Sequence, residues 1–263
     1  MYIVKIGGGG GINVEGIVKD LSVLDEPALV VHGANSLRDE LAERLGTPKT
    51  MLTSVSGYAS VFSDEKALDV IMMSYAGLKN KRIVELCQSN GINAVGLTGI
   101  DGGMVRGQRN RGIRVKEGDK TLMKRDFSGK PKSVNGDLIR LLMDNGYTPV
   151  LTIPILDENG IAINSENDDI INVLQDELKA KCIFQFIEAA GFLDNKDDPD
   201  SRVVQMSRSE LEQREAQVEG RMKRKMLALK HLFKAGAGKV IIADGRIENP
   251  IESALAGNGT VIQ

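Results

Sequence analysis

The most constraining stretch lies at the start of the chain. Tyr2-Ile3-Val4-Lys5-Ile6 is a short apolar run with one lysine, and it leads straight into five consecutive glycines, Gly7 to Gly11. Such a run reads as a buried strand. Asn13 then stands as a helix cap ahead of Ile17, Val18, Leu21 and Leu24 at helical spacing, and Pro27 stops that helix. Strand, glycine loop and helix in that order form the opening unit of an α/β sheet. Without Cβ atoms the loop lets backbone N–H groups face an anion, and the helix N-terminus adds a favourable dipole. Lys5 alternates with Val4 and Ile6, so it projects from the other face, at the carboxyl end where ligands bind in open α/β sheets. The glycine spacing is neither a P-loop nor a dinucleotide fingerprint, so a plain flexible turn remains a second reading.

The rest of the chain continues the alternation. Strands are predicted at Ala28 to Val31 (ending at His32-Gly33), Asn93 to Leu97, Val150 to Ile155 (interrupted by Pro154), Cys182 to Ile187, Lys239 to Ala243 and Gly259 to Ile262. Helices are expected from Ser36 to Gly46, from Ser63-Asp64-Glu65 onward to about residue 90, from a Ser133 cap to Asn145-Gly146, from about Asp168, and over 207–215 and 220–235. The stretch 47–62 reads as loop or hairpin, 99–103 as a turn, and 111–125 as a hairpin turning near Glu117-Gly118-Asp119. This βαβα order predicts an α/β fold with a mostly parallel sheet covered on both faces. A lobe boundary is placed near 158–162, dividing the chain into 1–160 and 161–263.

Composition narrows the function. The 263 residues carry 34 Lys+Arg against 36 Asp+Glu, a net charge of −2, so bulk charge does not suit nucleic acid. Aromatics at 4% with no Trp argue against a base-stacking surface. There is no apolar run of about 18 residues, so no membrane span is expected. No leader pattern precedes the first strand, which suits a cytoplasmic protein. Cys87 and Cys182 stand apart in apolar surroundings and read as buried free thiols of a reducing compartment.

Two further clusters stand out. In Gly220-Arg221-Met222-Lys223-Arg224-Lys225-Met226, the residues Met222, Met226, Leu229 and Phe233 mark a buried helix face. Lys225 borders that face; the cluster is either a solvated basic surface or a source of one inward cation. Ile163-Asn164-Ser165-Glu166-Asn167-Asp168-Asp169 precedes a helix. Its carboxylates are either caps or holders of a lysine or magnesium beside a nucleotide.

Taken in order, these segments resemble the amino-acid kinase family. The carriers are Val4-Lys5-Ile6-Gly7-Gly8, Val31-His32-Gly33, Asn80 to Leu86, Gly96 to Gly102, Pro149 to Thr152, Gly220 to Lys225, Glu248-Asn249-Pro250-Ile251 and Gly259 to Ile262. Within the family they look most like the acetylglutamate-kinase branch, and in it the kinases of aminoadipate or glutamate held on an amino-group carrier protein. The resemblance implies a three-layer αβα sandwich with an open, mainly parallel sheet of about eight strands, an N-terminal lobe for the carboxylate substrate and a C-terminal lobe for ATP with Mg2+ carried by the nucleotide. It implies Lys5 and Lys225 as catalytic cations with Asp168 holding them. Gly7, Gly8, Glu188, Gly220 and Met222 would bind the nucleotide, and Gly33, Ala34, Asn35, Val61 and Asn164 the substrate. The product would be an acyl phosphate of lysine or arginine biosynthesis, made by a homodimer. Phosphoryl transfer to a carboxylate asks mainly for positioning and positive charge, so no catalytic base is required.

The sequence departs from the family pattern at three places. Ala34 and Asn35 follow Gly33 where more glycines are usual. Val61 stands where an arginine grips the substrate carboxylate, and valine cannot replace a charge-assisted contact. Ile187-Glu188 replaces a Ser/Thr and Asp/Asn pair, and Arg38 or Arg106 could supply the missing charge. Between 106 and 125 lie Arg106, Arg109, Arg111, Arg114, Lys116, Lys120, Lys124 and Arg125 against Glu117 and Asp119. This is either a solvated hairpin or a docking patch for a small acidic carrier protein. Kinase of a carrier-linked acid is thus the first expectation. An N-acetylglutamate kinase, or a kinase of another small acid, is the second, and a non-catalytic nucleotide-binding relative the third.

Overall fold

A computed structural model describes residues 1–53, 59–117, 120–195, 197–198, 200–217 and 220–263, with the side chains of all of these except 53, 59–61, 116, 117, 217 and 220–225. The opening unit forms as its residues dictate. β1 (Tyr2–Ile6) is buried apart from Lys5, and α1 (Val14–Leu21) is capped by Asn13, whose side chain accepts from Gly16 N at 3.0 Å. β2 (Ala28–His32) is buried throughout and leads into α2 (Asn35–Arg44). β3 (Met51–Thr53) and β4 (Ala59–Val61) pair antiparallel as a hairpin. α3 (Glu65–Ile71) starts at Asp64, which accepts from Ala67 N at 2.8 Å, and runs through wider turns over Met72–Lys79 into α4 (Asn80–Ser89).

β5 (Ala94–Thr98) follows, then β6 (Val105–Arg109), the ribbon of β7 (Ile113–Glu117) and β8 (Lys120–Lys124), β9 (Gly129–Val134) and α5 (Gly136–Asp144). β10 (Thr148–Thr152), β11 (Ile155–Leu156), β12 (Ala162–Ile163), α6 (Asn167–Leu178) and β13 (Cys182–Ile187) come next. The chain ends with β14 (Gln205–Met206), α7 (Arg208–Gln217), α8 (Gly220–Lys234), β15 (Val240–Asp244), α9 (Pro250–Leu255) and β16 (Thr260–Ile262).

The main sheet has eight strands in the order β14-β16-β15-β13-β1-β2-β10-β5. Its neighbours are parallel except β15 and β16, which run antiparallel because the chain turns back through the short α9. Alternate residues feed two cores. Ile3, Leu29, Val31, Leu151, Ile183 and Val240 pack on one face under α5, α6 and α8, while Val4, Ile6, Val30, Phe184 and Ile241 pack on the other under α1, α4 and α9. Lys5 shares the side of Ile3, the face that α6 covers. Each fully buried aliphatic chain contributes about 1.5–3 kcal/mol of transfer free energy.

Three details differ from the sequence reading. Ser133 lies in β9, and the cap of α5 is Asn135, which accepts from Leu138 N at 3.1 Å. The run Val150 to Ile155 is split into β10 and β11 at Pro154, which has no N–H for a ladder. The basic segment 106–125 is not one hairpin. Arg106 and Arg109 belong to β6, which pairs with β9 in a separate four-stranded sheet, and only β7 and β8 form the ribbon. Its tip, Gly118-Asp119, lies outside the described residues. Cys87 and Cys182 are free and buried, and burial pushes both thiols up to about 11.

Candidate active site

The parallel register brings the carboxyl ends of β1, β2 and β13 together, since Ile6 lies between His32 and Phe186. Three loops therefore leave the sheet side by side. Gly7 N donates to Phe186 O at 3.0 Å, Gly33 N to Ile6 O at 2.9 Å and Ser36 N to Gly8 O at 2.9 Å. A Cβ on Gly8 would stand 2.7 Å from Asn35 N and 2.9 Å from Ala34 N, and one on Gly33 would stand 2.8 Å from Gly8 N. Such approaches exclude any side chain, so Gly8 and Gly33 are fixed by backbone stacked on backbone. Beyond them the N–H groups of Gly8, Gly9 and Gly10 have no protein partner among the described residues. Three successive open donors at a strand end make an anion cradle.

Lys5 and Asp168 meet here. The Lys5 ammonium donates to Asp168 Oδ1 in a short ion pair, with side chains 14% and 30% exposed. Asp168 stands in the first turn of α6, and Asn167 beside it donates to His32 O at 2.9 Å, tying that helix to β2. Glu166 precedes them. It is exposed, yet desolvation by its neighbours, then Asp168 and Asp169, push its carboxyl up, while Lys5 and Arg38 oppose the rise. Close by, the Ser165 hydroxyl and Asn167 Oδ1 are buried without a partner among the described residues.

His32 takes the strand-end structural role. Asn80 Nδ2 donates to its Nε2 at 3.1 Å and to Val150 O at 2.9 Å, and Nδ1 lies 3.3 Å from Gly33 O. A neutral ring protonated on Nδ1 satisfies both contacts. Complete burial pushes its pKa down to about 3.

The expected substrate residues are placed unevenly. Ala34 is in the core, so only its backbone can face a ligand. Asn35 accepts from the Tyr75 hydroxyl at 2.5 Å, and burial raises that phenol to about 12. Asn164 donates to Ser63 Oγ at 3.0 Å, and Ser63 N donates to the buried Asp126 at 3.0 Å. Arg38 is held by Asp39, through Nε at 2.9 Å and Nη2 at 2.7 Å. Arg106 lies beside Gly103 and Ser133. The side chains of Val61, Gly220, Met222 and Lys225 lie outside the described residues; α8, which carries Lys225, packs its Met226 and Leu229 into the same core as Ile170 and Leu174 of α6. Tyr75 and Glu166 join the site without a sequence signal of their own: Tyr75 reads as an ordinary core position and Glu166 as one acid among several.

Glu188 arrives from the end of β13. Gly11 N donates to its Oε1 at 2.7 Å, and a Cβ on Gly9 would lie 2.0 Å from Oε2. The carboxylate thus rests directly on the glycine loop. Among the described residues, no group of three or more His, Cys, Asp or Glu side chains is arranged to hold a metal ion.

On the adjoining sheet, Arg109 and Arg125 flank the Phe127 ring at 3.9 and 5.0 Å from its centroid. Arg106, Arg111, Arg114, Lys120, Arg125, Lys130 and Lys132 are exposed on this sheet and the ribbon beyond it, with Arg114 and Lys120 on opposite faces of the ribbon. Leu122 and Met123 of β8 are exposed among them.

The LysW-aminoadipate kinase of Thermus thermophilus is 38% identical over 269 residues, spanning all of both chains. That of Deinococcus radiodurans is 36% identical over all of this chain and 91% of its own. Acetylglutamate kinase of Methanopyrus kandleri is 29% identical over the full length of both. Among solved structures, an isopentenyl phosphate kinase matches over all of both chains with a TM-score of 0.64 at 20% identity, and Giardia carbamate kinase over 99% of this chain and 97% of its own with 0.66 at 14%. These share the fold. A model of the amino acid kinase family matches residues 1–244. The chain belongs to the amino acid kinase family.

Proposed function

We propose that this chain is an ATP-dependent kinase that phosphorylates the side-chain carboxylate of 2-aminoadipate, glutamate or both, presented on a small acidic amino-group carrier protein, in lysine or arginine biosynthesis. The observation that carries the chemistry is the cradle at the end of β1: three open N–H groups on Gly8 to Gly10 beside the Lys5–Asp168 pair. The full-length likeness to LysW-aminoadipate kinases supports the substrate class.

In this reading ATP, with its Mg2+, supplies the phosphoryl group. The donor set fits a polyphosphate, and the nucleotide carries the cation on its phosphates. Gly7, whose own N–H is taken by Phe186 O, and Gly8 shape the phosphate loop, and the open N–H groups of Gly8 to Gly10 point at charge that grows on the transferring group. Lys5 adds a positive charge from the sheet side, and Asp168 fixes its ammonium. Lys225 of α8 is the second cation, with Gly220, Met222 and Glu188 along the nucleotide. The substrate carboxylate is already anionic at neutral pH, so positioning by Gly33, Ala34, Asn35, Val61 and Asn164 replaces base catalysis. Residues 1–160 hold the acid and 161–263 the nucleotide. The exposed arginines and lysines of β6 to β9 dock the acidic carrier, with Leu122 and Met123 as apolar contacts. Homodimer formation, in the cytoplasm, completes the reading.

The test is acyl-phosphate formation, trapped with hydroxylamine, from ATP and a carrier-linked acid, in parallel with free N-acetylglutamate. Turnover of the free acid alone replaces the first reading with the second, which the Methanopyrus likeness supports. Turnover of neither, with ADP still bound, leaves a nucleotide-binding relative, a reading favoured by Ala34, Asn35, Val61 and Ile187.

A further inference from the structure

The glycines of the loop answer to different neighbours. Gly7 makes room for Phe186 O, where a Cβ would stand 2.8 Å away, and Gly8 for the backbone of Ala34 and Asn35. Gly9 and Gly11 make room for something else. A Cβ on Gly9 would lie 2.0 and 2.6 Å from the two oxygens of Glu188, and one on Gly11 would lie 2.9 Å from Oε1. The Gly11 N–H donates to that same oxygen at 2.7 Å, while Gly8, Gly9 and Gly10 keep their N–H groups open. The glycine loop beside these open donors therefore already holds a carboxylate of the protein itself. A carboxylate on a backbone N–H is a charge-assisted contact of the kind a phosphate oxygen would make.

We propose that Glu188 is an internal anion that occupies the glycine loop and competes with the nucleotide's phosphates for it. The inference rests on the nucleotide reading above and adds a sign to it: Glu188 weakens nucleotide binding in the absence of metal instead of contributing to it. Two like charges cannot share the loop, so the carboxylate must swing aside as phosphate enters. Arg246, bound to Asp244 through Nε at 2.8 Å and Nη2 at 2.7 Å, is the neighbouring cation, and the Glu188 charge already reaches it. Glu188 is exposed and holds no core contact, so its replacement leaves the fold intact.

The experiment is calorimetric titration of the full chain with ADP in EDTA, for the wild type, Glu188→Gln and Glu188→Ala. Both variants are expected to bind ADP about 3- to 10-fold more tightly, as befits one solvent-exposed charged contact. The Gly11 amide resonance gives a second readout. It shifts when ADP is added to the wild type, and it shifts in nucleotide-free Glu188→Gln. Unchanged or weaker ADP binding in both variants overturns the inference while leaving the kinase reading standing. No ADP binding in any of the three proteins, with Mg2+ present as well as in EDTA, removes the nucleotide reading, and the competition with it.

Discussion

Replacing Lys5 by alanine tests the chemistry most directly. The ammonium lies at the end of β1 with its side chain 14% exposed, so it acts in a medium between water and protein interior. A unit charge about 4 Å from a phosphoryl oxygen is worth about 4 kcal/mol at an effective dielectric of about 20. Asp168 is in contact with the ammonium and cancels part of that field. The lower end of the range for a lost transition-state donor, about 2.7 kcal/mol, is the figure to expect, which is a loss of about 10²-fold in kcat. Asp168→Asn keeps the shape and frees the cation, so it should cost less, about 10-fold. The assay is hydroxylamine-trapped acyl phosphate under single-turnover conditions, with urea denaturation to show that both variants are folded. A folded Lys5→Ala protein that retains a third or more of wild-type kcat refutes the reasoning, because no group carrying transition-state charge is that dispensable.

Three more expectations follow from the geometry. Gly8→Ala places a methyl 2.7 Å from Asn35 N, a backbone atom that cannot yield cheaply. It should destabilise by about 1–3 kcal/mol and abolish detectable ADP binding, measured by urea denaturation and calorimetry. His32 has a folded pKa of about 3 against 6.5 for the free ring, so the unfolded chain binds the extra proton between these values. Stability is complete above about pH 6.5 and falls as pH drops; the loss at pH 5 is about 2 kcal/mol, and His32→Asn should flatten that slope in urea titrations at pH 7 and pH 5. Reversing Arg114 and Arg125 to glutamate should cut kcat/KM for a carrier-linked acid about 10-fold at low salt. The deficit should vanish near 0.5 M salt, and turnover of a free acid should not change; equal loss with both substrates would place those arginines elsewhere in the function.

The legible parts of this chain are those whose physics is local. The unit of β1, glycine loop and α1 is written in consecutive residues: an apolar run, a string without Cβ atoms, and Asn13 as cap. Cys182 to Ile187 reads as a strand because all of its residues suit a buried ladder. β6 and β9 escaped notice because Arg106, Gln108, Lys130 and Lys132 are polar and the inward positions include Gly107, Gly129 and Pro131. Their burial comes from packing under α6, which no apolar pattern announces. α9 is six residues long, too short for a helical period to register.

By itself, the sequence determined the α/β order, the glycine loop, the Asn13 and Asp64 caps and the kinship, since each depends on neighbours along the chain or on the joint order of short segments. The meeting of Lys5 and Asp168 across 163 positions was implied by the kinship and by no local pattern, while tertiary structure alone decided that Glu188 lies on Gly11 across 177. It also decided that Asn35 turns to Tyr75 and that the basic residues divide between two sheets. Those pairings are set by which strands lie side by side and where their ends fall. That choice is made by burying two apolar faces at once, and no local stretch encodes it.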